Sequence, residues 1–248
     1  MKNRIIVFVF VLFSSSVIYS QDAKEIVRKA NEKSYGESSY TEMTMKIVRP
    51  SYERSISMKA WTLGTDYSMV YITSPAKEKG QVHMKREKEM WNWQPTISRM
   101  IKLPPSMMMQ SWMGSDFTND DLINQSSIVN DYTHKLIGEE KHESYQCYKI
   151  ELIPKENSNV VWGKIVLLIS KDDEFILKSE YYDEDNDLVK TEFASDVKIL
   201  GGKKIPSKFT TIPSDKKGNK TVMIMTDIIF DYKLDETFFT QQNMKKLK

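Results

Sequence analysis

In the stretch YTEMTMKIV, residues 40–48, Met43, Met45 and Ile47 share one face of an extended chain, and Glu42, Thr44 and Lys46 share the other. A period of two is the signature of a half-buried β-strand, because successive side chains leave a strand on opposite faces. RSISMKAW repeats the pattern through Ile56, Met58 and Ala60. DYSMVYIT, GQVHMKR, KEMWNWQ and SRMIKL continue it in short segments parted by turn residues. A second series follows: DYTHKLIGEE, YQCYKIELIP, VWGKIVLLIS, EFILKSEYYD, LVKTEFASDVKI, KKIPSKFTTI and KTVMIMTDIIFDYKL. This predicts about 11–13 strands. One wet face per strand argues for an antiparallel sheet. No Pro-, Gly- or Ser-rich linker divides the series, so a single domain over residues 21–248 is expected, built as a curved sheet or incomplete antiparallel β-barrel.

Residues 1–20 stand apart from that domain. Lys2 and Arg4 precede an apolar run from Ile5 to Phe13, and small residues lead to Ser20 before Gln21. This is the pattern of a cleaved secretory signal peptide, and the run is short for a bilayer span of about 20 residues. No cysteine follows it directly, and no later stretch is apolar enough to cross a membrane. Setting Lys2 and Arg4 aside leaves 34 basic against 34 acidic residues, without the basic excess of a nucleic-acid binder. The single cysteine, Cys147, excludes an intramolecular disulfide framework. It lies in an alternating strand pattern and reads as a small buried residue.

The helices are few. QDAKEIVRKANEKSYG offers Asp22 as an N-cap with Glu25 three residues on, an apolar stripe of Ile26, Val27 and Ala30, and Gly36 as a stop. In LPPSMMMQSWMG, Pro105 suits a first helical position and Gly114 the residue after a last turn, with Met108 and Trp112, and Met109 and Met113, one turn apart. Thr118 is placed to cap a second short helix, with Asp120 and Asp121 against its N-terminal dipole.

Residues 43–113 hold 11 of the 15 methionines and four of the five tryptophans. Methionine is flexible and polarizable, so surfaces rich in it adapt to variable apolar partners. Met43, Met45, Met58, Met69, Trp91 and Trp93 are expected on one sheet face, joined by Met107, Met108, Met109 and Trp112 of the short helix and by Phe117. Two readings stay open: a deformable apolar cavity with an apolar lid, or a core that is rich in methionine. Signals for chemistry are weak. His83, His134 and His142 lack the spacing of a metal site. GSD is not a nucleophile elbow, and DEDND lacks the spacing of a calcium loop. No catalytic residue, metal or cofactor is expected; a hydrolase using Ser115 or Cys147 is the remotest reading.

The order of these features resembles a family. A leader and an amphipathic helix precede the strand pair TEMTMKIVRPSYERSISMKAW; ISRMIKLPPS, MGSDFTNDDL and the tail DETFFTQQNMKKL follow. The chain is similar to the outer-membrane lipoprotein-sorting proteins, the LolA-like group in its larger form. The most specific piece is the run Asp116 to Leu122. The resemblance implies an incomplete β-barrel closed on one side by helices. It implies a periplasmic carrier in a Gram-negative bacterium that takes acyl chains of lipoproteins, or lipid, from an inner-membrane donor transporter to an outer-membrane acceptor. It also implies an arginine near the second strand that holds the lid; Arg49 and Arg54 both stand there. A non-catalytic sensor or adaptor docked on a membrane transporter is the alternative reading.

Overall fold

The computed structural model describes residues 15–124, 127–156, 158 and 160–247. Thirteen strands form one antiparallel sheet: β1 (Ser38–Arg49), β2 (Tyr52–Leu63), β3 (Tyr67–Ser74), β4 (Val82–Arg86), β5 (Glu89–Gln94), β6 (Arg99–Lys102), β7 (Tyr132–His142), β8 (Tyr145–Pro154), β9 (Lys164–Ser170), β10 (Ile176–Tyr182), β11 (Leu188–Leu200), β12 (Lys203–Pro213) and β13 (Lys220–Phe230). Every segment expected from the alternation is a strand.

Each strand pairs with its neighbours in sequence, with one exception. The order is β6-β5-β4-β3-β2-β1-β13-β12-β11-β10-β9-β8-β7, so β1 meets β13 and joins the two halves of the chain. The outer strands β6 and β7 are not paired with each other, and the sheet does not close into a barrel.

Three α-helices lie among the described residues: α1 (Ser15–Tyr35), α2 (Asn119–Asn124) and α3 (Gln241–Met244). None of the helices is long and apolar enough to cross a membrane. The helix α1 begins upstream of the expected cap. Asp22 lies inside it, since no Gly or Pro interrupts the chain between Ser15 and Tyr35. Residues 1–14 of the expected leader lie outside the described residues. Gly36 ends the helix as expected: its φ of +65° suits a residue without a Cβ, and its N–H donates to the Glu32 carbonyl at 2.9 Å.

The apolar side chains sort into layers. Ala23, Val27 and Ala30 of α1 pack on Tyr132, Ile150, Leu152, Ile165 and Leu167 of β7–β9. Met45, Ile47, Ile56, Met58, Ile72 and Met90 form a second cluster on the inner face of β1–β5, covered by Leu103 and Trp112. On the opposite face of the same strands, Trp61, Met69, Tyr71, Val82 and Met84 pack against Phe239 and Met244 of the C-terminal tail. Strands β1–β5 are therefore covered on both faces. The period of two still holds there, but it separates two apolar layers and not one apolar layer from water.

Candidate functional site: an apolar cavity under a clamped loop

Between the inner face of the sheet and the segment 103–129 lies a cavity of about 320 Å³, at the small end of the roughly 300–1,000 Å³ typical of ligand pockets. Met43, Met58, Ala60, Val70 and Met90 line it from β1–β5, and Phe193, Ala194, Phe209, Met223 and Met225 from β11–β13. Trp112, Phe117 and Leu122 form its cover.

The expected site residues divide by where strand parity sends them. Met43, Met58, Trp112 and Phe117 line the cavity. Met45 belongs to the cluster on the same inner face, and Met108 packs against that cluster from the cover. Met69, Trp91 and Trp93 are on the other face, under the C-terminal tail. Their odd-numbered positions alternate with inward-facing Val70, Met90 and Asn92, so the expectation of one shared face is corrected. Met107 is half-buried, and its carbonyl accepts from the Asn119 amide at 2.9 Å. Met109 is 53% exposed and covers nothing.

The cover is not the helix expected from Pro105 to Met113. It consists of two short 3₁₀ turns, Pro105–Met107 and Trp112–Gly114, in a loop folded back on itself. Trp112 N–H donates to the Phe117 carbonyl at 2.8 Å, and Asn119 N–H to the Gln110 carbonyl at 3.0 Å. Met113 (φ 51°) and Gly114 (φ 75°) are both left-handed, which no continuing helix tolerates. The short helix α2 is capped as expected: Asp121 N–H donates to the Thr118 hydroxyl at 3.1 Å, and Thr118 N–H donates to the Asp121 carboxylate at 2.7 Å.

Both candidate arginines hold the loop. Arg49 donates to the Asp116 carboxylate at 3.0 Å and to the Gly114 carbonyl at 2.9 Å. The Thr221 hydroxyl of β13 donates to the same carboxylate at 2.7 Å and accepts from Asp116 N–H at 2.9 Å. Arg54 donates to the Met113 carbonyl at 3.1 Å and stands 3.8 Å from Glu78. The carbonyls that a helix would have used are thus taken by guanidinium groups.

Two further polar residues were not legible as a site in the sequence. Lys190 of β11 is almost fully buried and bridges Asp121 of α2, at 2.8 Å, to Glu192, at 2.9 Å. Its ammonium faces the rings of Tyr181, Trp162 and Phe117. Burial pulls its pKa down, but the carboxylates of Glu192 and Asp121 outweigh burial and leave it above the ordinary lysine value. His83 of β4 is 5% exposed, stands in the cavity wall and meets Trp112 edge to face at 5.4 Å. Its Nδ1 lies 2.9 Å from the Asn92 side-chain oxygen Oδ1 and 3.3 Å from the Trp112 indole nitrogen. Burial pushes the His83 pKa down to about 4, so the ring is neutral at pH 7.

A comparison with curated proteins gives no match. Solved structures do match. A DUF1329 family protein from Desulfovibrio piger is 24% identical, covers 91% of this chain and 99% of its own, and superposes with a TM-score of 0.82. A domain from Vibrio parahaemolyticus, described as an outer membrane lipoprotein-sorting protein, is 22% identical with the same coverage and a TM-score of 0.80. A LolA superfamily protein from Nitrosomonas europaea is 23% identical over 89% of this chain and 98% of its own, with a TM-score of 0.76. A family model described as "Uncharacterized protein" matches residues 64–246, most of the chain. The chain belongs to the family of that model, and it shares its fold with the LolA superfamily protein.

Proposed function

We propose that this protein is a periplasmic, non-catalytic carrier that shelters acyl chains of lipoproteins, or of lipids, in the cavity under the clamped loop and delivers them toward the outer membrane. The observation that carries the proposal is the cavity itself, walled by Met43, Met58, Met90, Met223 and Met225 and roofed by Trp112 and Phe117. The fold it shares with a domain described as lipoprotein-sorting supports the same reading. An acyl chain gains about 0.8 kcal/mol per buried CH₂, so a sixteen-carbon chain gains roughly 12 kcal/mol on leaving water. A carrier must match part of that and still release its cargo. Walls of methionine, with three rotatable bonds each, adapt to a chain without the close fit that would hold it irreversibly. The cavity is small for a whole acyl chain, so uptake of one requires the cover to move. A donor transporter in the inner membrane and an acceptor at the outer membrane complete the route in this reading.

A substitution that fills the cavity tests it. Ala60 lines the cavity from β2, and Ala60→Phe projects a ring into open space. Retention of a diacylated lipopeptide should fall at least tenfold while the thermal midpoint holds. Unchanged retention would place the lipid elsewhere or nowhere.

A further inference from the structure

The floor of the cavity is banded. Strand register sets Ser39, Thr62, Ser68 and Lys85 opposite one another across β1–β4, and all four line the cavity. One step further in, the row is Thr41, Ala60, Val70 and His83. The next row is apolar, with Met43 opposite Met58 in the cluster that Trp112 covers. Residues two apart on a strand share a face about 6.7 Å from each other, so the floor grades from polar to apolar over about 13 Å. Parity fixes which face a side chain takes and is indifferent to position along the strand. The grading is therefore a property of this cavity and not of sheets in general.

The polar row lies at the mouth. Among the described residues that line the cavity, Ser34 near the end of α1 is the exposed one. Gly64 N–H donates to the Glu37 carbonyl at 2.7 Å, which sets the β2–β3 turn beside the end of that helix. The hydroxyls of Ser39 and Thr62 bond each other at 2.7 Å. Lys85 is half-buried, and its ammonium donates to the Thr65 carbonyl in the same turn, so its charge stands at the rim. Burial lowers its pKa from the ordinary lysine value, and Asp66 opposes the fall without cancelling it. The other charged residues of the wall are balanced within the fold: Asp121 and Glu192 by Lys190, and Lys178 by Glu180.

From this we infer that the cavity takes a lipid with an anionic head, a phosphate or a carboxylate, end-on. The head rests at the mouth beside Lys85 and the hydroxyl row, and the chain runs inward to the methionines beneath Trp112. The inference rests on the carrier reading and adds to it the class of cargo and its direction. The head stays in contact with water at the rim, so only the chain has to leave it. A cation that its surroundings do not fully balance is stabilised by an anion beside it, whatever else its N–H groups bond. A neutral lipid with the same chain has the same apolar gain and lacks that pairing.

Palmitoyl lysophosphatidate and monopalmitoylglycerol test the inference, because they share the chain and the glycerol and differ in the phosphate. Affinity of the full chain for each is measured by titration calorimetry, below the concentration at which either lipid aggregates. The quantity read is the ratio of the two affinities within each protein, so a general loss of stability cancels. One charge-assisted contact gives the wild type a ratio of about ten in favour of the phosphate. Lys85→Gln keeps a polar side chain and removes the charge, so its ratio falls toward one; Lys85→Arg keeps the charge and the preference. Inorganic phosphate alone should not bind. Binding of it that depends on Lys85 would make the row an anion site separate from the cargo and overturn the end-on placement. A wild-type ratio of one with both lipids bound, or a preference unchanged in Lys85→Gln, overturns the role of Lys85 and leaves the carrier standing. Binding of a diacylated lipopeptide but of neither lipid overturns the anionic cargo and also leaves the carrier. Failure to bind any of the three overturns both.

Discussion

The guanidinium of Arg49 and the carboxylate of Asp116 meet at 3.0 Å, with side chains only 12% and 5% exposed. This ion pair joins the end of β1 to the loop that roofs the cavity, and Thr221 of β13 closes a junction of two strands and the loop. Removing one member of a buried pair leaves the other charged and unpaired, which costs about 3–5 kcal/mol. Arg49→Met should therefore destabilise the fold by about 3 kcal/mol in urea denaturation. It should also release the roof, which is read as a red shift of Trp112 emission before global unfolding. A single transition with no earlier change at Trp112 would make Arg49 a general stabiliser and not a clamp.

A second tie holds the roof from the other half of the sheet. Lys190→Met leaves Asp121 and Glu192 without their cation and should cost about 3 kcal/mol or more. Lys190→Met combined with Asp121→Asn and Glu192→Gln should recover most of that loss, because the aromatic surroundings of Lys190 accept an apolar side chain. A double-mutant cycle on Lys190 and Asp121 should give a coupling above 1 kcal/mol. Additive losses would mean that the 2.8 Å contact contributes nothing of its own.

Acid should act on His83. Its pKa falls from the ordinary 6.5 to about 4 in the folded protein, so the unfolded chain binds more protons between those values. Stability is then full above pH 6.5 and declines as the pH falls toward 4, by up to about 3 kcal/mol. The added proton charges a buried ring that packs edge to face on Trp112, so the roof should loosen along with the fold. Urea midpoints measured at pH 7 and pH 4.5 should differ less in His83→Asn than in the wild type. Equal acid sensitivity in the two proteins would assign the decline to other groups.

The outer layer should be separable from the cavity. Phe239 is fully buried against Tyr67 and Phe238 on the face opposite the cavity, so Phe239→Ala should cost about 3–5 kcal/mol. Trp93→Ala, on the same face, should also lower stability, and neither should change lipopeptide retention measured below the unfolding temperature. Loss of retention in Trp93→Ala would return that residue to the binding surface.

The alternation made the strands legible, because each strand of a one-sided or two-sided sheet must keep a period of two. It was silent on what covers each face. Met69, Trp91 and Trp93 are as apolar as Met43 and Met58, and only the tail folding back through Phe239 and Met244 separates them. The spacing of Met108, Met109, Trp112 and Met113 favoured a helix. Tertiary contacts overrode it: Arg49 and Arg54 capture the carbonyls of Gly114 and Met113, and two successive left-handed residues turn the chain. Thr118 and Asp121 were legible because a capping box is local. Lys190 and His83 were not, since their partners in the roof, Asp121 and Trp112, lie 69 and 29 residues away in sequence and no short spacing announces those contacts.

The central claim is that the space under Trp112 holds acyl chains. Native mass spectrometry of the protein isolated from its own cells, followed by solvent extraction and lipid analysis, tests it most directly. The account predicts a bound mass that corresponds to an acylated molecule and is lost in Ala60→Phe. A protein that arrives at its bare polypeptide mass and takes up no added diacylated lipopeptide would contradict the account and return Met43, Met58 and Trp112 to the role of core.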